Sequence, residues 1–515
     1  MRVVGDVIRL NAKRFPKAKA LVTESEYLTF SDLNTKVNQL AHGLISAGMK
    51  PGDRIAILGF NSIEWVIVYF AVAKVGGIAV PVNFRYKKNE LLYVMNHSQS
   101  KMLLFGPEFV SLVEEAKGEF NSAPILVAFG QESETGTATL RTMMEGQPSV
   151  EPAVSVGPDW PVNIIYTSGT TGTPKGALMS HGACVNTYIG MAVEGDVNYH
   201  EVALMNMPFF HTAGIHCNLA PVFLKGGTGV ITGSGKFDPD KILDVVARYG
   251  VTMSHWVPTH LAILLNSGSI GRHDISSLKK IWYGSSPIPS QVLSGCIEQT
   301  KVDFYQWYGQ TETLMVSILK PDDHFGERSQ YTGREMFNYE LRIVDDDGRD
   351  VEVGEVGEVI SRQEGYGMIG YYGMEEASKS TIRDGWIRTG DLARSEENGY
   401  FTVVDRIKDV IISGAENIYP KEIEDVIGKH PAVKEVAVFG IPDDVWGESV
   451  CAAVVKKAGQ TIDEDTIVSF CGDELSTYKK PKRVVFVDDL PRNASGKITK
   501  NALKEPFWTG RQKRV

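Results

Sequence analysis

Tyr166-Thr-Ser-Gly-Thr-Thr-Gly-Thr-Pro-Lys175-Gly176 follows the strand-like run Val162–Ile165 in a chain of 515 residues. Its glycines allow backbone N–H groups to approach an anion closely, its hydroxyls add donors, and Lys175 adds a cation. That is the composition of a phosphate-holding loop set on the end of a buried strand. The G-x-x-x-x-G-K-[ST] spacing of a Walker loop is absent, and Pro174 stands where such a loop would enter its helix. An ordinary Gly/Thr surface turn is the alternative, but such a turn rarely carries a lysine directly after a buried strand.

Outward from this loop, the composition is that of a globular enzyme: 43% hydrophobic and 23% charged residues. Length alone implies more than one folding unit. The net charge of −10 argues against a nucleic-acid-coating protein, so an anionic ligand must be held by local basic groups. Five scattered cysteines (Cys184, Cys217, Cys296, Cys451, Cys471) form no CxxC pair, which fits a reducing compartment rather than a disulfide framework. The N-terminal residues lack the apolar block of a signal peptide, and the apolar stretch Trp65–Ala73 is too short to span a bilayer. The expectation is a cytoplasmic protein without a transmembrane segment.

The first third alternates helix and strand patterns. Ser31 reads as the N-cap of a helix carrying Leu33, Val37, Leu40, Ala41 and Leu44, ending near Gly48. Strand-like runs at Arg54–Gly59 and Gly77–Val82 lack polar alternation, as in a parallel sheet covered on both faces. Gln131–Asp159 reads as a long surface loop with a short helical turn. From about Glu340 a small β-rich unit is expected. A compact segment follows Asp405, with strands Val436–Phe439, Cys451–Val455 and Arg483–Val487 and a helix over Asp463–Leu475. The boundary is placed at Asp405–Lys408, giving domains 1–404 and 405–515.

Further motifs occur in order along the chain: Met207-Pro-Phe-Phe-His211-Thr-Ala-Gly214, Tyr283-Gly-Ser-Ser-Pro287, Gln306-Trp-Tyr308-Gly-Gln310-Thr311-Glu312, Trp386-Ile-Arg-Thr-Gly-Asp391, Asp405-Arg406-Ile-Lys408-Asp409 with Ser413-Gly414, and Pro491-Arg-Asn-Ala-Ser-Gly-Lys497. Together with the Tyr166–Gly176 loop, this series resembles the adenylate-forming superfamily, which includes acyl- and aryl-CoA synthetases, firefly-type luciferases and peptide-synthetase adenylation domains. The resemblance covers almost the whole chain. It implies an α/β fold with a large N-terminal domain of αβ layers bearing a β-barrel-like subdomain, and a small mobile α+β C-terminal lid.

The resemblance also implies roles. Thr167, Ser168, Gly169, Thr170, Thr171, Gly172 and Lys175 would hold the pyrophosphate end of ATP. Gly284, Ser285, Ser286, Tyr308, Gly309 and Gln310 would surround adenine, with Asp391 on the ribose and Arg406 on the ribose or a phosphate. Glu312, helped by Thr311, would ligate Mg²⁺, because a hard cation bridging phosphates takes oxygen ligands. Lys497 would bridge carboxylate and phosphate during adenylation. Lys408 would be a hinge, with Ser413 and Gly414 beside the CoA thiol. The basic run Tyr478–Arg483 offers charge for CoA phosphates or is simply a solvated face. His211 reads either as a gate between ATP and acid or as a satisfied core histidine.

Phe210, Gly214, Ile215, Trp256, Gly284 and Met315 are apolar or small and line the expected acyl pocket. They favour a hydrophobic acid: medium- or long-chain, aryl or alicyclic. No aspartate stands in MPFFHTAG to pair with a substrate ammonium, as an amino-acid-activating domain would use. The expected activity is therefore an AMP-forming acid–thiol ligase using ATP, Mg²⁺ and CoA. Transfer of the acyl group to a carrier protein or another acceptor is the alternative, and the sequence leaves a homodimer open.

Overall fold

The computed structural model describes all residues except 131–137, 168–173, 236, 287, 414–415, 493–497 and 510–515, and the side chain of 473. The chain divides into two compact units. One comprises Met1–Pro287, Val292–Leu341 and Ser361–Thr389; the other comprises Ile288–Gln291, Arg342–Ile360 and Gly390–Val515.

In the first unit, the helix α1 (Phe30–Ser46) is capped by Thr29, two residues before the predicted cap Ser31. Thr29 accepts from the Asp32 N–H and the Asp32 carboxylate accepts from the Thr29 N–H, closing a capping box that Ser31 cannot make. Two sheets follow. One contains β1 (Arg54–Leu58), β2 (Ile78–Val82), β3 (Met102–Phe105), β4 (Ile125–Ala128), β5 (Pro161–Thr167) and β6 (Lys175–Ser180). Gly370–Tyr371 pairs with β6, and the order continues β6-β5-β2-β1-β3-β4 to Ala138–Thr139. Strands β1 to β4 are parallel and, apart from Arg54 at the start of β1, apolar, as a sheet covered on both faces requires. Within the expected surface loop, Leu140–Met144 is a short helix.

Between β1 and β2 runs α2 (Ile63–Lys74), buried at every residue except Glu64. Its last lysine is a buried cation: the Lys74 ammonium donates to Asn34, Asn38 and Glu151, each at 2.7 Å. After α3 (His181–Glu194), the second sheet takes β7 (Val202–Met205), β8 (Thr228–Ile231), β9 (Met253–Trp256), β10 (Lys280–Gly284), β11 (Asp303–Gln310) and β12 (Leu314–Leu319), with α4 (Pro258–Ser267) after β9. Strand order here is β12-β11-β10-β9-β7-β8; all these neighbours are parallel except β11 and β12.

In the second unit, β13 (Trp386–Ser395, its first residues in the first unit) and β14 (Tyr400–Arg406) form an antiparallel pair. Beyond them β15 (Val433–Asp443), β16 (Gly447–Lys456) and β17 (Arg483–Phe486) build a small sheet. Strands β15 and β16 extend well past the predicted runs because hairpin pairing recruits the polar residues at both ends. The helix Glu464–Glu474 starts on Asp463, which caps the Thr466 N–H. All five cysteines are buried and free. Among the described residues no helix is long and apolar enough to cross a membrane.

Candidate active site

In parallel sheets, ligands bind outside the carboxyl ends of the strands. Most of the sequence-predicted residues of the first unit fall on such ends. Thr167 closes β5, Phe210 and His211 follow β7, Trp256 closes β9, Gly284 closes β10, and Gln310 closes β11 ahead of Thr311 and Glu312. Asn61 draws the two sheets' ends together. Its buried amide donates to the carbonyls of Met205 (3.2 Å) and Met207 (2.8 Å), and its oxygen accepts from the Phe209 N–H (2.8 Å).

The two strands flanking the expected phosphate loop, β5 and β6, pair antiparallel. Thr167 pairs with Lys175 and Tyr166 with Gly176, and the Thr167 hydroxyl donates to the Lys175 carbonyl (3.4 Å). Ser168, Gly169, Thr170, Thr171 and Gly172 lie outside the described residues. The Lys175 ammonium sits 5.0 Å from the centroid of the Tyr371 ring, and the Tyr371 hydroxyl donates to Glu312 Oε1 (2.8 Å). Burial, and then the Glu312 charge, push the Tyr371 phenol up, so it stays a protonated donor. The Met368 N–H donates to the Glu312 carbonyl (2.8 Å), fixing the backbone as well. Lysine, tyrosine and glutamate are thus one chain joining the hairpin to the end of β11. Sequence reading missed Tyr371; its only signal was the aromatic pair in Gly370-Tyr-Tyr-Gly373.

Close backbone approach explains the glycines around β10 and β11. A Cβ on Gly284 would lie 2.3 Å from the Trp307 carbonyl oxygen, and one on Gly309 would lie 2.0 Å from that of Leu314. The ladder slips between Tyr308 and Gly309, and Leu314 takes φ +60° to close the turn. Gln310 is held through its N–H to Thr313 Oγ1 (3.1 Å) and its amide to the Thr389 carbonyl (2.9 Å). Ser285 adopts φ +74°, Ser286 is exposed, and Tyr308 packs its partly buried ring against the core.

Among the residues expected to line the acid pocket, Phe210 meets Phe84 edge-on at 5.1 Å, and Phe84 meets Phe60 at 5.0 Å. Trp256 is fully buried, with Phe237 edge-on at 6.4 Å. His211 caps the turn Thr212–Gly214, its Nδ1 accepting from the Ala213 N–H (3.2 Å). Gly214 packs against backbone, since a Cβ there would lie 2.3 Å from the Pro208 carbonyl oxygen. Ile215 and Met315 belong to the main core. Ile215 opens a π-helical turn, Ile215–Leu219, whose His216 is completely buried between Tyr188 (2.7 Å) and Asn163 (3.0 Å). Burial holds that imidazole neutral, down at about 3.

In the second unit, Asp391 and Arg406 face each other across β13 and β14, with Arg406 Nε 2.9 Å from Asp391 Oδ1. Asp391 is buried and Arg406 part-exposed. Burial pushes the Asp405 carboxyl up, partly offset by Lys500 and by the N–H groups of Lys421 and Arg406. Lys408, on the turn Ile407–Asp409, is held below the ordinary lysine value, first by desolvation of its ammonium and then by the Arg406 and Lys504 charges. Ser413 pairs with Glu416 and Gly447; Gly414 lies outside the described residues. So does Lys497, although the segment containing it is flanked by an antiparallel bridge between Arg492 and Ile498.

Among the described residues no cluster of three His, Cys, Asp or Glu side chains could hold a metal. The carboxylate of Glu312, oriented by the Tyr371 hydroxyl, has the hard oxygen donors that a Mg²⁺ ion would take.

The chain is 35% identical to a feruloyl-CoA synthase from Amycolatopsis sp, over 96% of this chain and 97% of that protein. It is 34% identical to the fatty acid–[acyl-carrier-protein] ligase ScoC from Streptomyces coeruleorubidus, over 98% and 96%. Its structure matches that of the anthranilate CoA ligase AuaEII in complex with anthranoyl-AMP with a TM-score of 0.90 at 27% identity, covering 98% of this chain and 97% of that one. Residues 8–372 match the family described as AMP-binding enzyme, and residues 422–497 match its C-terminal domain. The β5–β6 pair, the Lys175–Tyr371–Glu312 chain and the Asp391–Arg406 pair therefore sit in a chain that belongs to the AMP-binding enzyme family.

Proposed function

We propose that this protein activates a hydrophobic carboxylic acid with ATP, releasing pyrophosphate, and transfers the acyl group from acyl-AMP to the thiol of CoA. The observation that carries this reading is that the chain Lys175–Tyr371–Glu312 lies in the same unit that carries the aromatic pair Phe84–Phe210 after β2 and β7 and the buried Trp256 at the end of β9. A carboxylate is a poor electrophile. Attack of its oxygen on the α-phosphorus gives a mixed anhydride that a thiol can open. Charge grows on the α-phosphate and on pyrophosphate, so positioned cations and donors supply most of the catalysis.

Lys175 and the hydroxyls of the 167–171 loop neutralise the leaving pyrophosphate. Tyr371 keeps Glu312 oriented by its hydrogen bond. A Mg²⁺ ion held by Glu312 supplies charge neutralisation between phosphates. Lys497 reaches the carboxylate and α-phosphate oxygens, and Asp391 accepts from the ribose hydroxyls. Residues 1–404 and 405–515 act as body and lid, with Lys408 absorbing the backbone rotation between the half-reactions. The free, buried cysteines fit a cytoplasmic setting.

The test is pyrophosphate release from MgATP across short, medium, long, aryl and alicyclic acids, with and without CoA. Release that requires one acid class and accelerates with CoA is expected. Acid-dependent release indifferent to CoA would overturn the acceptor. It would favour the second reading, a carrier-protein acceptor, which the 34% identity to ScoC supports.

A further inference from the structure

Leu91, Val94 and Met95 seat the helix Lys88–Ser98, between β2 and β3, in the apolar core on one face of the first sheet. Tyr93 and His97 lie one turn apart, so they are neighbours on the helix surface. Their rings stack with centroids 5.4 Å apart and 24° between planes. Both side chains reach the open end of the β5–β6 pair. The Tyr93 hydroxyl donates to the Pro174 carbonyl (2.8 Å), and His97 Nδ1 lies 2.8 Å from the Tyr166 hydroxyl. Tyr372 completes the cluster, edge-on to His97 at 6.1 Å, while its N–H donates to the Gly176 carbonyl (2.8 Å).

Each residue touched is the chain neighbour of a group on the phosphate side. Tyr166 precedes Thr167, Pro174 precedes Lys175, and Tyr372 follows Tyr371. Successive strand residues point to opposite faces of a sheet. Tyr166 and Tyr372 accordingly pack on the helix side, with Ile164 and Leu178, whereas Tyr371 packs on the other side, with Ala177 and Met179. Lys175, two residues before Ala177, shares that other side with the Tyr371 ring. The cluster therefore stands behind the Lys175–Tyr371–Glu312 chain and grips it by its backbone. Packing alone calls for rings, not for a hydroxyl on a carbonyl and an imidazole on a phenol. Burial pushes the Tyr166 phenol up and the His97 imidazole down, so both are neutral at pH 7. Their bond then forms with either imidazole tautomer, because a phenol both donates and accepts.

We propose that Tyr93 and His97 are positioning residues for the phosphate end of ATP, a two-ring clamp that fixes Thr167, Lys175 and Tyr371 through their chain neighbours. The proposal rests on the ATP-using reading above. Groups already in place hold an anion better than groups that must be ordered on binding, since that ordering costs affinity. The clamp acts on the groups that meet the outer phosphates, so its loss should be felt by ATP and not by AMP.

The experiment titrates ATP and AMP, each with Mg²⁺, into the full chain by calorimetry. Wild type, Tyr93→Phe, His97→Phe and His97→Gln are compared, each checked by thermal melting. Tyr93→Phe keeps the stacked ring and removes only the oxygen that binds Pro174. Wild type is expected to hold ATP more tightly than AMP. Tyr93→Phe and His97→Phe should each weaken ATP about three- to tenfold, the worth of one hydrogen bond, and leave AMP unchanged. His97→Gln, whose amide can donate or accept toward Tyr166, should recover part of that loss. A merely structural role would lower the folded fraction and weaken both nucleotides together, which overturns the clamp. So does an ATP-to-AMP affinity ratio that either phenylalanine variant leaves unchanged. If His97→Phe does not fold, Tyr93→Phe decides alone. Wild type that binds neither nucleotide overturns the ATP-using reading and the clamp with it. Equal affinity of wild type for ATP and AMP overturns the clamp alone.

Discussion

Tyr371 shows how much one side chain outside any motif can carry. Its ring meets the Lys175 ammonium and its hydroxyl holds Glu312, so it couples two residues that the sequence reading had found separately. Tyr371→Phe is expected to lower kcat/KM for MgATP about tenfold and to raise the Mg²⁺ concentration needed for half-maximal rate, since groups orienting a metal ligand are typically worth 10–100-fold. Steady-state kinetics over a Mg²⁺ series checks this; an unchanged Mg²⁺ dependence would remove Tyr371 from the site. Lys175 and Glu312 were legible because each sits in a local pattern of glycines, hydroxyls or strand residues. Tyr371 was not, because it reaches Glu312 from 59 positions away in sequence, and only the pairing of Gly370–Tyr371 with β6 brings it there.

At the scale of elements, the β11–β12 turn is built on contact that tolerates no Cβ. Gly309→Ala would drive a methyl to 2.0 Å from the Leu314 carbonyl oxygen, so the bulge must open. A destabilisation of about 2–3 kcal/mol is expected, with loss of adenylation. Thermal melting and pyrophosphate release read both. The buried histidines give a second prediction. His181 and His255 are held at about 4 and His216 at about 3 by burial, against 6.5 when unfolded. Their contribution is therefore fully present above about pH 6.5. It is lost as pH falls toward 4, because the unfolded chain takes up protons that the native one refuses. The slope is at most about 1.4 kcal/mol per pH unit for each histidine. Melting temperatures measured at pH 7, 6 and 5 should fall steadily, and His216→Gln should flatten the profile. The sequence reading located most elements of this region but not their caps or ends. Thr29 rather than Ser31 caps α1 because Asp32 answers it, and β15 and β16 lengthen because each pairs with the other; such reciprocal contacts leave little trace in single-strand patterning.

At the scale of the whole molecule, residues proposed for ATP occur in both units. The first carries Lys175, Tyr371 and Glu312, and the second carries the Asp391–Arg406 pair. If Lys408 is the hinge, fixing its φ by Lys408→Pro should leave acyl-AMP formation within about threefold while slowing thioester formation by tenfold or more. Single-turnover measurement of each half-reaction decides this, and equal slowing of both would remove the hinge. The first unit has one further consequence. Most of its candidate acid-side residues close or follow β2, β7 and β9, whereas its candidate nucleotide residues close or follow β5, β10 and β11, with Gly284 at the end of β10 belonging to both sets and Met315 on β12. The two sets therefore hang from largely separate strand ends of a shared frame. A duplicated gene could therefore exchange one acid for another through a handful of substitutions on three connections while inheriting the energy-coupling chemistry intact. Diversification on this scaffold would then proceed by short mutational walks, without passing through an inactive ancestor.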